Sequence, residues 1–124
     1  MRRRTFWITV SLVAFLTVGI RCAVIAEDLE AVIRYLLRYA KNSEVVFIRN
    51  NREHTAHEAE DHMRKKYQHF KEQIKTPEDF IQFASTKSLL SGRPYRVRLK
   101  NGKTMLSQKW LEIVLEEYRK KNSG

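Results

Sequence analysis

The sequence predicts a small, single-domain α+β fold in which about four helices pack on a short sheet that contains a β-hairpin. The periodic segments run in the order helix, strand, helix, helix, hairpin, helix. No repeat or low-complexity linker interrupts them. Residues 1–26 have the pattern of an export signal, which is described below. The other 98 of the 124 residues, 27–124, are enough for one modest domain and too few for two.

The first helix and the first strand are predicted from a change in apolar periodicity. Apolar side chains recur at helical spacing through residues 28–41, with charged residues on the opposite side, which predicts an amphipathic helix. Val45–Ile48 is a continuous β-branched and aromatic run, so we expect a strand that is buried on both faces. Arg49–Arg52 is predicted to form a polar turn.

The next two helices are predicted to begin at capping motifs. Thr55 and Glu58 have the spacing of a capping box, so a long helix is expected from there to near Lys75. Thr76-Pro77 opens another helix, because threonine is a favourable cap and proline fits the first turn. Ser91-Gly92 is expected to stop a helix. The buried stripe of the long helix would consist of Ala59, Met63, Tyr67, Phe70 and Ile74.

The last third of the domain predicts a hairpin and a final helix. Residues 95–100 alternate strictly, with Tyr95, Val97 and Leu99 on one face and three cations on the other. Asn101-Gly102 favours a type I′ turn, and Thr104–Leu106 would be the return strand. Ser107 is expected to cap a final amphipathic helix.

Residues 1–26 have the pattern of a cleavable export signal. Three arginines precede the apolar run 6–20, and small residues follow at 24–26, so the mature chain would start at Glu27. The apolar run of 15 residues is shorter than the roughly 20 needed to span a bilayer. We therefore expect a periplasmic protein; the alternative is an inner-membrane anchor formed by residues 6–20.

Two other kinds of export signal fit residues 1–26 less well. Cys22, the only cysteine, would suit a lipoprotein, but Arg21 precedes it where a small residue is usual. Arg3-Arg4 resembles a twin-arginine signal, which the very apolar run that follows disfavours. Loss of the signal would leave a domain without a thiol, held together by packing alone.

The charge of the chain indicates an anionic partner. The formal net charge is +10, and because four basic and no acidic residues fall in the signal, the mature part keeps +6. We expect an anionic small molecule or envelope component as partner. Export excludes nucleic acid, and membrane contact is expected only through the signal segment before cleavage.

Several short motifs occur in order along the whole predicted mature chain. They are Phe47-Ile48-Arg49-Asn50, Glu58-Ala59 with His62, Lys66-Tyr67, Thr76 with Glu78–Ile81, Lys87-Ser88, Ser91–Tyr95 and Trp110-Leu111. Together they resemble the YfeK-like bacterial envelope proteins. This resemblance implies export and a shared single-domain fold, and it implies no reaction. Asn51 departs from the glycine that members often carry, and the cysteines of some members are absent.

One candidate site is a polar cluster at the start of the long helix. Glu58 and His62 are four residues apart and share a face, with Lys66 one turn further on, as a small hydrolase-like or metal-dependent enzyme would need. His57 and His62 are five apart, which does not match the zinc-protease spacing. We therefore predict no metal and no cofactor, and a capping role for Glu58 remains the simpler interpretation.

A second candidate site combines cations, hydroxyls and an amide that suit phosphate or carboxylate. The preferred hypothesis is a non-enzymatic binding or interaction domain that uses these groups; the enzyme centred on His62 and Glu58 is the alternative. A third class, a structural protein that binds a partner, would show an exposed apolar patch. The simpler interpretation of the same groups is helix termination and a solvated strand face. The predicted ligands are Arg49, Asn50, Lys87, Ser88, Ser91, Arg93 and Arg96.

Overall fold

A computed structural model describes residues 27–123 as four helices and one four-stranded sheet. The strands are antiparallel and lie in the order β2-β1-β3-β4, which confirms the predicted α+β class. The predicted signal, 1–26, lies outside the described residues, among which no helix is long and apolar enough to cross a membrane. The elements are α1 (Leu29–Asn42), β1 (Val46–Arg49), β2 (Arg52–His54), α2 (Ala56–His69), α3 (Pro77–Ser85), β3 (Arg96–Arg98), β4 (Thr104–Leu106) and α4 (Ser107–Asn122).

The helices cover one face of the sheet. Phe47 of β1 pairs with Val97 of β3, and both side chains belong to the buried core together with Trp110 of α4. The opposite face is partly open, since Ile48 is half-buried and its partner Arg96 is exposed. The expectation that the first strand is buried on both faces is therefore wrong, because helices pack on one side only.

The predicted starts of α1, α2 and α3 are correct to within one residue. Asp28 caps α1, and Thr55 and Thr76 each form a capping box at the start of α2 and α3. Two predicted ends are wrong. The long helix ends at His69, where the chain turns so that Ile74 still reaches the core, and α3 ends at Ser85, well before Ser91-Gly92.

The type I′ geometry predicted for the second hairpin turn is found instead in the first, between β1 and β2. Asn50 and Asn51 both have positive φ, 51° and 62°, as a type I′ turn requires, and they join β1 to the unpredicted strand β2. Asn101 does not have positive φ, so the predicted type I′ turn at Asn101-Gly102 is wrong. Leu99 and Lys103 instead close a longer loop through a backbone hydrogen bond of 2.8 Å.

The hydroxyl of Ser107 does not cap α4 as predicted. Leu106 occupies the cap position, and no side chain caps this helix. Ser107 is buried, and its Oγ lies 2.7 Å from the Oγ of Ser85, also buried. Because the hydroxyl satisfies a buried partner, it is not available to the helix terminus.

Candidate functional site

A cavity of about 340 Å³ opens where β1, α2 and the start of β3 meet. We call it the site cavity. Apolar side chains of the core form part of its wall, and ionisable side chains surround the rest. The polar residues that line it are Arg49, His54, Glu58, Asp61, His62, Lys65, Ser85, Tyr95, Arg96 and Ser107.

Three of these side chains form a continuous hydrogen-bonded chain. Nη1 of Arg49, at the end of β1, lies 2.6 Å from Nδ1 of His62 on α2. Nε2 of His62 lies 3.0 Å from the hydroxyl of Tyr95, just before β3. Three separate elements therefore converge on the imidazole of His62.

The donors and acceptors in this chain can be assigned from chemistry. A guanidinium only donates, so Nδ1 of His62 must accept from Arg49. The neutral ring then carries its proton on Nε2 and donates to the oxygen of Tyr95. The O–H of Tyr95 and the remaining N–H groups of Arg49 stay available to a ligand.

The surroundings keep His62 neutral. Partial burial, followed by the positive charges of Arg49 and Lys66, lowers the pKa of His62 to about 4 from 6.5. Burial likewise raises the pKa of the Tyr95 phenol, so it stays protonated. At neutral pH the three hydrogen-bonded side chains are therefore one cation, Arg49, and two neutral rings, His62 and Tyr95.

Lys66 lies beneath this chain rather than in the cavity. Its side chain is only 7 % exposed, its Nζ lies 4.7 Å from the centre of the Tyr95 ring, and it donates to the carbonyl of Lys87 at 2.8 Å. Burial and then Arg49 lower its pKa to about 8. Lys66 thus fixes the Tyr95 ring and adds positive charge from behind.

The cavity has an excess of positive charge. Asp61 pairs with Lys65 at 2.9 Å, and Glu58 lies 3.5 Å from His54. Arg49 and Arg96 form no ion pair with any carboxylate of residues 27–123. The guanidinium of Arg49 therefore lies at the cavity without a counter-charge from the described chain, and Arg96 lines the rim from the strand next to it.

The other predicted anion ligands form a separate hydrogen-bonded cluster. Asn50 donates to the Oγ of Ser88 at 3.4 Å and accepts from the Oγ of Ser91 at 2.5 Å. These contacts join the β1–β2 turn to a projecting loop, residues 87–94, which we call the finger. Lys87 and Arg93 lie on this finger, and none of these five residues lines the site cavity.

The candidate enzyme residues are placed differently from one another. Glu58 lines the cavity, but its carboxylate accepts from the backbone N–H of Thr55 at 3.0 Å, as the capping box requires. His62 lies in the cavity with both ring nitrogens bonded, and Lys66 does not line it. Among residues 27–123, no three His, Cys, Asp or Glu side chains are grouped so that they could hold a metal ion.

Tyr95 is the site residue that sequence reasoning missed. Its position in an alternating strand predicts only a core side chain, and it is buried. A buried tyrosine hydroxyl nevertheless needs a hydrogen-bond partner, and this requirement was the available signal. His62, 33 residues away in the chain, provides that partner.

The comparisons with known proteins concern the whole domain. A family model described as "Family of unknown function (DUF5329)" matches residues 27–119, well over half of the chain. The chain belongs to the DUF5329 family. This DUF5329 match includes every residue of the Arg49–His62–Tyr95 chain. No curated protein and no solved structure matches the chain.

Proposed function

We propose that this DUF5329 domain binds a small anionic group, a phosphate or a carboxylate, in the site cavity beside Arg49. The observation that carries the proposal is the state of the Arg49 side chain. It is partly buried, it donates to a neutral imidazole, and it has no carboxylate partner among residues 27–123. A desolvated guanidinium without a counter-charge is stabilised when an anion enters.

The donors at the cavity suit an oxyanion. A guanidinium has five N–H groups, of which Arg49 uses one on His62, so its remaining N–H groups can bind two oxygens of one anion. The O–H of Tyr95 adds a donor from the start of the neighbouring strand, and Arg96, which lines the rim, adds positive charge. Asn50, Lys87, Ser88, Ser91 and Arg93 stand outside the cavity and supply positive charge and a rigid edge.

The candidate catalytic groups, Glu58 and His62, are already hydrogen-bonded to the protein, which favours binding over catalysis. Glu58 serves the capping box, and the two nitrogens of His62 each have a protein partner, so neither is placed as a general base. An anion would instead find donors held by β1 and the start of β3, with His62 of α2 linking the two. The domain would act as a binding module of the bacterial envelope, in line with the predicted export signal and the resemblance to YfeK-like proteins.

Ligand-induced stabilisation tests this proposal. The protein is heated with millimolar phosphate, a sugar acid or glycerol phosphate, and the unfolding midpoint is recorded. A ligand at tenfold its dissociation constant adds about 1.4 kcal/mol to the free energy of unfolding. At least one of the three anions should give such a shift, and a neutral sugar should not.

A matched pair of variants locates the effect. Arg49→Gln should abolish the shift, because it removes the cavity guanidinium. Arg52→Gln should keep it, since Arg52 is the cross-strand partner of Arg49 but is exposed and outside the cavity. Equal loss in both variants, or no shift with any anion in the parent protein, would overturn the proposal.

A further inference from the structure

Two adjacent leucines at the tip of the finger are exposed to solvent. Leu89 is 65 % exposed and Leu90 is 97 % exposed. Single exposed leucines are common on proteins, but two adjacent leucines at the end of a projecting loop form a small exposed apolar patch. Packing within the described domain does not account for it.

The backbone of the finger holds these side chains outward. Lys87 and Pro94 form an antiparallel bridge, and the N–H of Ser88 donates to the carbonyl of Arg93 at 3.0 Å. The Oγ of Ser88, itself buried, accepts from the N–H groups of Leu90 and Ser91 at 3.3 and 3.4 Å. The tip is thus a hydrogen-bonded turn whose backbone is held by the buried hydroxyl of Ser88.

The finger belongs to a segment that contains no acidic residue. Residues 80–111 hold seven cations and no aspartate or glutamate, whereas the rest of 27–124 holds 13 cations and 14 acids. Lys87 and Arg93 flank the leucines, and neither forms an ion pair within the described chain. Two of the seven, Arg98 and Lys100, pair with Glu53 and Glu44 from outside the segment, so the unpaired cations next to the leucines are Lys87 and Arg93.

We propose that the finger inserts Leu89 and Leu90 into the surface of a bilayer that contains anionic lipids, while Lys87 and Arg93 contact the lipid headgroups. Apolar side chains flanked by cations are the combination that binds such an interface. The tip is convex and only two residues wide, so it suits a deformable lipid surface better than a shaped protein pocket. This contact does not depend on anion binding in the site cavity.

A local fluorescence readout in the full chain tests the insertion. In a Cys22→Ser background, Leu90→Cys is labelled with a polarity-sensitive dye and mixed with vesicles of phosphatidylglycerol and phosphatidylcholine. Ile113→Cys, labelled identically, is the control, because Ile113 is 41 % exposed on α4 between acidic residues. Because the readout is local, membrane binding by residues 1–26 does not imitate it.

The dye at position 90 should shift to the blue and become protected from an aqueous quencher, while the dye at position 113 should not. Lys87→Gln with Arg93→Gln should raise the vesicle concentration for the half-maximal response at least about tenfold. Lys41→Gln with Lys121→Gln removes the same net charge elsewhere and should have a smaller effect.

Several outcomes would overturn the inference. A dye at position 90 that stays as water-exposed on anionic vesicles as in solution would show that the tip is not a lipid contact and would leave a protein surface as its occupant. An equal response at positions 90 and 113 would show that the dye, rather than the finger, enters the lipid. The Arg49→Gln variant should respond like the parent, which separates this test from that of the cavity.

Discussion

The two ends of strand β1 show how differently one sheet face is used. Phe47 and Arg49 project from the same face, about 7 Å apart along the strand. Phe47 packs edge-on against Trp110, with ring centres 5.5 Å apart, and belongs to the apolar core. Arg49 meets His62 and Tyr95 instead. Apolar packing explains the first end. A partly buried cation beside neutral rings costs stability and needs another explanation, which we take to be function.

The largest expected effect is a difference in unfolding free energy between a substitution in the apolar core and one at the polar end of β1. Leu111 is fully buried in the core. Leu111→Ala should therefore lower the free energy of unfolding by about 2–5 kcal/mol, because it leaves a cavity. Arg49→Met should change this free energy by no more than about 1 kcal/mol, since removal of an uncompensated charge offsets the lost hydrogen bond. Urea unfolding measures both. Equal destabilisation by the two substitutions would mean that the polar end is structural.

The next effect is a pH dependence that originates at the polar end. The unfolded chain protonates His62 near its ordinary pKa of 6.5, whereas the folded protein resists protonation until about pH 4. The unfolded state therefore binds more protons in this window, and stability falls as the pH drops from 6.5 to 4. Allowing for solvent screening, we expect a loss of about 1–2 kcal/mol.

Two substitutions assign this pH dependence. Unfolding free energies measured between pH 4 and pH 7 should become flatter in His62→Gln. His57→Gln, at an exposed position on the same helix, should keep the slope of the parent protein. An unchanged slope in His62→Gln would remove His62 as its source.

A smaller effect is expected at Lys66. The pKa of about 8 means that folding disfavours the charged amine at neutral pH. Lys66→Met should raise the unfolding free energy at pH 7 by up to about 1 kcal/mol, because the lost contacts with Lys87 and Tyr95 offset part of the gain. Above pH 8 the folded amine loses its proton before the unfolded one, so the advantage of methionine should shrink. Thermal unfolding at pH 7 and pH 10 measures this difference, and a variant less stable at both values would contradict it.

The smallest effect concerns the turn that supports the polar end. Asn51 has a φ of 62°, which glycine adopts without strain, so Asn51→Gly should add about 0.5 kcal/mol. Asn101→Gly should give no such gain, because Asn101 lacks positive φ and its side chain accepts from the N–H of Lys103 at 2.9 Å. Denaturant midpoints of the two variants test this contrast; a larger gain at Asn101 would reverse the turn assignment.

Local patterns predicted much of the fold because their causes are local. The caps at Thr55 and Thr76 depend on residues three positions apart, and the structure has both. Strand β2 was missed because Arg52–His54 has no apolar alternation and becomes a strand only by pairing with β1. A pattern within one segment cannot show such pairing.

The candidate site was predicted only in part because its contacts are distant in sequence. Arg49, Arg96 and His62 are candidate residues of the sequence analysis, and all three line the cavity. The link between Arg49 and His62 spans 13 residues and that between His62 and Tyr95 spans 33, so no spacing rule connects them. The burial of Lys66 also escaped the sequence, since it depends on the position of the Tyr95 ring.

The titration of His62, followed by NMR with and without phosphate, tests most directly whether the polar end is a built anion site. The imidazole signals are assigned with His62→Gln. We predict a pKa of about 4 in the free protein, lowered first by burial and then by Arg49 and Lys66, and a higher pKa with the anion bound, because the anion offsets the two positive charges. A pKa near 6.5 in the free protein that phosphate and other anions leave unchanged would contradict the account.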